Sequence, residues 1–281
     1  FQEMIDEAGV GGAAQTIVLG GSGRADFNDL QDAIDACVAW QGDTILVEQT
    51  EDSAYGVDEL VTMDKAGVTI KAAKVGINPE ASGENVTFRG TAVTYIDGPT
   101  IKITAPCHIK GLGFTTRFIS AGDADSAGMV IEGTGGYSGG FAWIENCRFS
   151  AWYGAQAYGI YIDGGALPRI ESCTFDGLFG GFSTAAIGMV TPSFPRVIGN
   201  YFEGLGSSIP AVKLITSAGN LLMVGNYNLP GFGTRGVLLD NDSVVSTGLV
   251  GGNWTGHVNK AAAFLNLTNS TLSFQDNHYD E

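Results

Sequence analysis

The stretch IENCRF, from Ile144 to Phe149, decides the fold because variants of it return at a steady interval through the second half of the chain. The later copies are IESCTF from Ile170, VIGNYF from Val197, MVGNYN from Met223, VGGNWT from Val250 and FQDNHY from Phe274. The fourth letters of the six copies are Cys147, Cys173, Asn200, Asn226, Asn253 and Asn277, which are 26, 27, 26, 27 and 24 residues apart. Short apolar runs repeated every ~20 to 30 residues predict a solenoid of parallel β-strands.

A second phrase is interleaved with the first and has the same period. It reads GIYID from Gly159, AIGMV from Ala186, AVKLI from Ala211 and GVLLD from Gly236. Its leading apolar residues, which step by 27, 25 and 25, are Ile160, Ile187, Val212 and Val237. Each repeat, or coil, is therefore predicted to hold two or three short strands separated by turn residues.

Side chains alternate between the two faces of a strand, so the repeat also predicts which residues point inward. The predicted inner columns are Ile144, Ile170, Val197 and Met223, and the aromatic set Phe149, Phe175, Phe202 and Tyr279. Asn228 and Thr255 interrupt the aromatic column. The Asn series suits a turn, because Asn tolerates left-handed backbone and stacked amides can hydrogen-bond from coil to coil.

The first hundred residues show a different pattern. Residues 1–15 are predicted to be a flexible leader, and residues 26–40 a capping helix that begins at the N-cap Asp26 with Asp29 in its first turn. Such a helix would cover the open end of the solenoid, where strand edges and core are otherwise exposed. Residues 42–100 are predicted to form irregular first coils, and 101–281 regular ones, so that 16–281 make one β-helix domain.

The phrases DFNDLQDAIDAC from Asp26, GDTILV from Gly42 and GVTIKA from Gly67 follow one another as in a known superfamily. Together with IENCRF and VIGNYF they resemble pectin-lyase-like right-handed parallel β-helices, over residues 16–281. The resemblance implies an all-β, single-stranded parallel β-helix, and its character is nearest to virus tailspike and capsid-decoration proteins. That fold hosts lyases, hydrolases, tailspikes and structural proteins alike, so it does not imply one activity.

Composition restricts the partners. The chain has 281 residues and a net charge of −16, which argues against nucleic acid because phosphate binding requires a basic face. No apolar stretch is long enough to span a membrane. We expect no cofactor and no metal site, since the four cysteines lack metal-ligand spacing. Cys147 and Cys173 are expected to stack as two buried thiols, with a disulfide or a metal site as the alternatives.

The residues that follow the Asn series form a predicted outer column of rings, namely Tyr201, Tyr227, Trp254 and His278. A column of flat rings could stack sugars or meet a partner subunit, or it could be covered by neighbouring loops. The strand carrying Ile160 offers a second candidate interface, because its predicted outward residues include Tyr161 and Leu238. That face would suit packing against another β-helix or against loops of the same chain.

Two carboxylates, Glu145 and Glu171, fall at the same outer position of adjacent coils. Paired carboxylates serve glycosidases, so these two are the catalytic candidates if the chain is an enzyme. Arg169 and Arg196 stand just before the same column, so a salt ladder explains all four residues without catalysis.

Three functions are compatible with these features. The favoured one is a non-catalytic structural or interaction protein of a virus particle, because the WxDH, RxPxxR, NTD and GHG phrases of pectate lyases and polygalacturonases are missing. The last phrase also has no capping helix after it, so we expect another chain to cover that edge. The alternatives are a polysaccharide lyase or glycoside hydrolase acting on acidic polysaccharide, and a carbohydrate-binding adhesin. The expected partners are further copies in a trimer or dimer, other virion proteins and a glycan, at a virion surface or outside the cell.

Overall fold

The computed structural model describes residues 13–20, 25–48, 54–57, 61–73, 86–90, 101–116, 127–133, 141–151, 156–177, 182–206, 209–216, 219–229, 236–242, 246–256, 263–267 and 270–279. Of residues 54–57, 86–90, 115–116, 151 and 156 only the backbone is described. Most of the predicted leader therefore lies outside the described residues. Its last residue, Gln15, donates its backbone N–H to the buried carboxylate of Asp43 at 2.9 Å.

The described chain contains one short helix and a long series of short strands. The helix α1 is Leu30–Asp35. In chain order the strands are β1 (Thr16–Leu19), β2 (Thr44–Val47), β3 (Ala54–Val57), β4 (Val61–Met63), β5 (Val68–Ala72), β6 (Val86–Gly90), β7 (Ile101–Ile103), β8 (Cys107–Lys110), β9 (Leu112–Thr116), β10 (Ala127–Glu132), β11 (Ala142–Glu145), β12 (Arg148–Ala151), β13 (Gln156–Asp163), β14 (Arg169–Glu171), β15 (Thr174–Asp176), β16 (Phe182–Met189), β17 (Arg196–Ile198), β18 (Tyr201–Glu203), β19 (Val212–Leu214), β20 (Leu221–Val224), β21 (Tyr227–Leu229), β22 (Leu239–Asp240), β23 (Thr247–Gly251), β24 (Trp254–Thr255), β25 (Phe264–Leu265), β26 (Thr271–Gln275) and β27 (His278–Tyr279).

The strands form three parallel sheets, which we call A, B and C. Among the described residues, sheet A has ten strands in the order β1, β2, β5, β8, β11, β14, β17, β20, β23, β26. Sheet B runs from β3 through β6, β9, β12, β15, β18, β21 and β24 to β27, and sheet C from β4 through β7, β10, β13, β16, β19 and β22 to β25. From β8 onward the chain visits A, B and C in turn, so each coil adds one strand to every sheet. The result is the predicted right-handed parallel β-helix.

The predicted period and inner columns are confirmed. In sheet A, Ile144 pairs with Ile170, and the column continues through Val197 and Met223, all fully buried. In sheet B, the rings of Phe149, Phe175 and Phe202 stack at centroid distances of 5.0 Å, close to the ~4.8 Å spacing between strands. Phe114 extends this stack by one coil at 5.0 Å, which the sequence reasoning missed.

The turn between sheets A and B carries the predicted amide ladder. Asn226 donates from Nδ2 to the carbonyl of Val197 (2.9 Å) and to Oδ1 of Asn253 (2.9 Å). Its own Oδ1 accepts from the backbone N–H (2.9 Å) and from Nδ2 (3.0 Å) of Asn200. The thiol of Cys173 donates to the carbonyl of Ile144 at 3.6 Å, the counterpart of the amide bond. A thiol thus replaces the amide as donor where the ladder begins.

One reason given for the Asn series was wrong. The left-handed residue of each turn is the one before the ladder position, and not the ladder Asn itself. The positive φ angles fall at Asn146 (52°), Ser172 (55°), Gly199 (62°), Gly225 (65°), Gly252 (61°) and Asp276 (48°). The ladder residue is kept instead for its side chain, which is buried and bonds to both neighbouring coils.

The helix is shorter than predicted and starts three residues later. Asp29, and not Asp26, is its N-cap, because the Asp29 side chain accepts from the N–H of Asp32 at 3.0 Å. The Asp26 carboxylate instead accepts from the N–H of Val18 in β1, at 2.8 Å. Leu30, Ala33 and Ile34 bury the inner face of the helix in the core. Its role as a cap stays a prediction.

Candidate functional site

The predicted outer ring column is present on sheet B, where β18, β21 and β24 lie side by side. The rings of Tyr201 and Tyr227 are stacked at 5.2 Å with planes 9° apart. Tyr227 and Trp254 are stacked at 4.0 Å with planes 7° apart. We call these three residues the external ladder. It exists because side chains that follow the A-to-B turn point outward at the same place in every coil.

Stacking along the solenoid axis restricts how the external ladder can bind a ligand. Tyr227 has Tyr201 on one face and Trp254 on the other, so no face of its ring is left for a sugar. Its side chain is nevertheless 37% exposed, which means that the ring edge and the hydroxyl group meet solvent. The ladder therefore offers edges and polar tips. Face-on sugar stacking on Tyr227, one of the predicted modes, does not fit this geometry.

The two ends of the column differ from its centre. His278 lies next to Trp254 in register and is exposed. Among the described residues it forms no stacked pair with Trp254, so the ladder stops one coil short of the prediction. At the other end, Arg148 donates from an Nη atom to Asp176 at 2.6 Å across one coil. A charged pair thus precedes the rings.

The candidate catalytic carboxylates lie side by side in sheet A, where Glu145 pairs with Glu171. Glu145 accepts from Lys110 Nζ at 2.8 Å and lies 3.0 Å from His108 Nε2. Glu171 accepts from Nε (2.8 Å) and an Nη atom (2.7 Å) of Arg169. The predicted salt ladder is therefore present in part: Arg169 pairs with Glu171, but Glu145 is held by Lys110 and His108, and no described ion pair includes Arg196.

A second external stack lies beside these carboxylates. The His108 ring stacks on Trp143 at 4.2 Å with planes 7° apart. From the strand on the other side of Trp143, the Arg169 guanidinium lies over the same ring, with Cζ 4.5 Å from the ring centroid. Sequence reasoning missed His108, Lys110 and Trp143. The signal was available, because aligning Leu112 with Cys147 places Lys110 beside Glu145 and His108 beside Trp143, which is the observed register.

The protonation of this cluster follows from its contacts. Burial acts to raise the pKa of Glu145, but the hydrogen bond and charge of Lys110, together with the hydrogen bond of His108, outweigh burial and leave that pKa below the usual value. Burial lowers the pKa of His108 below its usual value, although the hydrogen bond to Glu145 opposes this. An ionised Glu145 next to a neutral His108 suits an ion pair with Lys110. It does not suit a general acid, which needs a raised pKa.

The outer face of sheet C corrects one predicted residue. Val212 pairs with Leu239, and not with Val237, so the register is two residues later than predicted. Leu238 is fully buried, contrary to its predicted outward position, because residues 236–238 precede the strand β22 and the alternation rule does not apply to them. It is not an interface residue in this fold.

Tyr161 does point outward, beside a small apolar cluster. Its ring lies 5.1 Å from that of Tyr158, which is buried together with Ala127 and Ala185. Tyr158 lies over Gly188, where any Cβ would come within 2.5 Å of the Tyr158 ring. This face is thus covered largely within one chain, which favours the second of the two predicted packing modes.

The remaining sequence expectations concern metals, cysteines and membrane spans in the part of the chain that the structure describes. No group of three His, Cys, Asp or Glu side chains there could hold a metal ion. All four cysteines are free and buried, so the stacked-thiol prediction for Cys147 and Cys173 is confirmed over a disulfide. No helix there is long and apolar enough to cross a membrane.

Comparison with known proteins supports the fold. No protein-family model matches this chain, and no curated protein matches its sequence. Solved structures do match. A pectin methylesterase from carrot superposes with a TM-score of 0.61 at 10% identity, over 96% of this chain and 83% of that one. The pectin methylesterase PemA from Erwinia chrysanthemi gives 0.55 at 11% identity, over 96% and 90% of the two chains.

A viral protein shares the architecture as well. The ORF18 protein of Geobacillus virus E2 superposes with a TM-score of 0.51 at 14% identity, over 93% of this chain and 61% of that one. Identities this low establish a common fold and nothing about activity. The chain therefore has the pectin-lyase-like right-handed parallel β-helix fold.

Proposed function

We propose that this chain is a non-catalytic structural or interaction protein of a virus particle, either a capsid-decoration protein or part of a tailspike or fibre. It acts at the virion surface, or outside the cell, through the outside of its β-helix. The observation that carries the proposal is the state of the two candidate catalytic carboxylates. Glu145 is held by Lys110 and His108, and Glu171 by Arg169, so both serve the surface of the solenoid.

The surroundings of these groups support the same proposal. Outer side chains are bonded or stacked from coil to coil, in the external ladder on sheet B and around Trp143 on sheet A. Such contacts stiffen a rod and fix its outer shape, as an assembly component requires. The Geobacillus virus E2 protein shows that a viral chain can have this architecture.

The test is an assay for cleavage of acidic polysaccharides. We would incubate the full chain with polygalacturonate, methyl-esterified pectin and alginate and measure reducing ends, unsaturated products and methanol. We expect none above a heat-denatured control. Depolymerisation that the Glu171→Gln substitution abolishes would overturn the proposal in favour of a lyase or hydrolase. Arg169→Gln is the matched variant, since it breaks the same ion pair but leaves the carboxylate in place.

A carbohydrate-binding role is the second candidate, and the exposed edge of the external ladder favours it. Tyr and Trp edges carry a hydroxyl and an N–H group beside apolar ring atoms, a combination suited to sugars. Two structural relatives are named for pectin, which makes an acidic plant polysaccharide a reasonable first probe. Binding that Trp254→Ala removes, with unchanged thermal unfolding, would support this role. Equal binding by the variant and the wild type would show that Trp254 of the external ladder does not bind the polysaccharide.

A further inference from the structure

A stripe of apolar side chains, three of them exposed, runs along the corner of the solenoid where the chain enters sheet A. Among the described residues, five large apolar or aromatic side chains are exposed. They are Val38 (44%), Trp40 (67%), Phe141 (46%), Phe194 (50%) and Tyr227 (37%). All but Tyr227 lie where the chain passes from sheet C, or from the helix, into sheet A. Exposed apolar side chains that are scattered singly need no explanation, whereas a group of them at one corner indicates a binding surface.

Register places Phe141 and Phe194 in one column. The corner residues stand two positions before the paired residues His108, Trp143, Arg169 and Arg196 of sheet A, and they are Pro106, Phe141, Leu167 and Phe194. In the preceding coils the same position is Gly67 and then Gly42, which have no side chains. Trp40 lies beside that position instead, because its backbone N–H bonds to the carbonyl of Ala66 at 2.7 Å and its ring lies against Gly67.

We call Trp40, Pro106, Phe141, Leu167 and Phe194 the corner stripe. Trp40, Phe141 and Phe194 are exposed, and Pro106 and Leu167 are half-buried. Past Phe194 the equivalent residue is the polar Asn220, so the stripe ends there.

Charges of opposite sign border the corner stripe on its two sides. The end of sheet C carries Asp163, in register with Glu132. The start of sheet A carries Arg169, in register with Arg196. Within the chain Glu132 pairs with Lys102 at 2.7 Å and Arg169 pairs with Glu171 at 2.7 Å. The charges offered to a partner are therefore the exposed Asp163 on the acidic side and the exposed Arg196 on the basic side.

We infer that the corner stripe is the contact between copies of this chain, which assemble side by side and parallel around an axis that runs along the solenoid. Charge complementarity selects the copy and the direction. A rotation about an axis parallel to the solenoid brings the acidic side of one copy against the basic side of the next. An antiparallel pair would instead place acidic side against acidic side. A corner, unlike a flat face, can meet either one or two further copies at such an axis.

This inference rests on the proposed function, because it names the surface through which a structural protein of a virus particle would assemble. The aromatic residues supply the apolar anchors that interfaces concentrate. The external ladder does not compete for this role, since its ring faces are already occupied within one chain. Packing of copies through the outer face of sheet C, where Tyr161 lies, would use a different surface. Substitutions in the corner stripe would then leave the oligomer intact.

The first experiment measures mass in solution by light scattering on the full chain. We expect two or three times the 29.2 kDa of one chain. The double substitution Phe141→Ser and Phe194→Ser should reduce the mass to that of one chain and leave thermal unfolding cooperative. Tyr227→Ser is the matched control, because it removes another exposed ring and should leave the mass unchanged. A monomeric wild-type protein, or an oligomer that the double variant retains, would overturn the inference.

The second experiment measures direction by cysteine cross-linking. In a parallel assembly Phe194→Cys meets its own counterpart, so mild oxidation should link two copies through that residue. The native thiols are buried, and burial raises the pKa of Cys37 to about 11 and that of Cys107 to about 12, so they should not compete. Mixing Phe141→Cys with a tagged Phe194→Cys chain should give no mixed product, since the two positions are two coils apart. A mixed product would show an antiparallel pair and overturn the parallel arrangement.

Failure of this inference can be told apart from failure of the proposed function. A monomer that cleaves no polysaccharide would contradict the inference and leave the proposed function standing. A parallel oligomer that cleaves polysaccharide through Glu171 would contradict the proposed function and leave the assembly through the corner stripe standing.

Discussion

The rings inside this solenoid and the rings outside it are stacked with similar geometry in different surroundings. Phe149, Phe175 and Phe202 stack at 5.0 Å in the core, and Tyr201 and Tyr227 stack at 5.2 Å on the surface. Phe175 is fully buried, whereas Tyr227 is 37% exposed. Parallel strands impose the spacing in both places, so regular stacking alone does not reveal which rings hold the fold together.

Burial decides that question. Burying a Phe side chain contributes ~1.5 to 3 kcal/mol, whereas an aromatic contact adds only ~0.5 to 1.5 kcal/mol beyond the area it buries. The inner stack should therefore carry stability, and the outer stacks should carry surface shape and binding. The predictions below test that division, beginning with the largest effect.

Phe175→Ala should be the most destabilising change. It removes a ring that contacts Phe149 and Phe202 on its faces and Phe182 at its edge, and it leaves a cavity in the core. We expect a loss of ~3 to 5 kcal/mol in the free energy of unfolding, measured by denaturant titration. Phe175→Leu keeps most of the volume and should cost clearly less. Equal stability of the Ala variant and wild type would show that the inner stack is not what holds the coils together.

Asn226→Ala should rank second. It leaves the carbonyl of Val197 and two N–H donors of Asn200 without their partners in a buried turn. We expect a loss of ~2 to 4 kcal/mol, because each buried polar group left unpaired costs ~1 to 3 kcal/mol. Asn226→Cys is the matched control. Cysteine occupies the same position at Cys173 and donates to the equivalent carbonyl, so it should recover part of the loss.

Tyr227→Ala should cost only ~1 kcal/mol, since it removes two ring contacts that are half in solvent. Tyr227→Phe keeps both contacts and should be nearly neutral by the same denaturant titration. A loss for Tyr227→Ala as large as that for Phe175→Ala would erase the distinction between inner and outer rings.

The sequence predicted the inner half of each coil well and the outer half incompletely. The columns of Ile144, Asn226 and Phe175 followed from the period, because buried positions tolerate few residue types and repeat visibly. Leu238 was misplaced because an apolar run such as GVLLD does not show where its strand begins. The partners of Glu145 were missed because ion pairs between coils depend on which long side chains reach each other, and that is not visible in a repeat of apolar residues.

The turn between sheets A and B was likewise predicted only in part. The sequence predicted that amides stack there, and Asn200, Asn226 and Asn253 do so. It did not predict that the residue before each ladder position takes the left-handed backbone conformation. That position is occupied by Asn, Ser, Gly or Asp in different coils, so no repeated residue type marks it in the sequence.

The smallest effect should be the pH dependence that comes from the charge cluster beside Trp143 on the outside of the solenoid. The buried Asp43 contributes separately: burial acts to raise its pKa, but hydrogen bonds from Gln15 and Val38 outweigh burial and lower it. The pKa values of Glu145 and His108 are both lowered in the folded chain. A group whose pKa is lower in the folded than in the unfolded state stabilises the fold above its unfolded pKa and loses that contribution as pH falls. Stability should therefore decline from His108 as pH drops below about 6.5, and from Glu145 below about 4.5.

Denaturant titrations at a series of pH values would measure how the free energy of unfolding depends on pH. Glu145→Gln should flatten the acid part of the curve, because glutamine has no proton to gain and the ion pair with Lys110 is already absent. Tyr227→Phe should leave the curve unchanged in shape, since it alters an outer ring without altering a charge near Glu145. If Glu145→Gln kept the full acid dependence, the ion pairs around Trp143 would not be what responds to pH, and other carboxylates of this acidic chain would have to account for it.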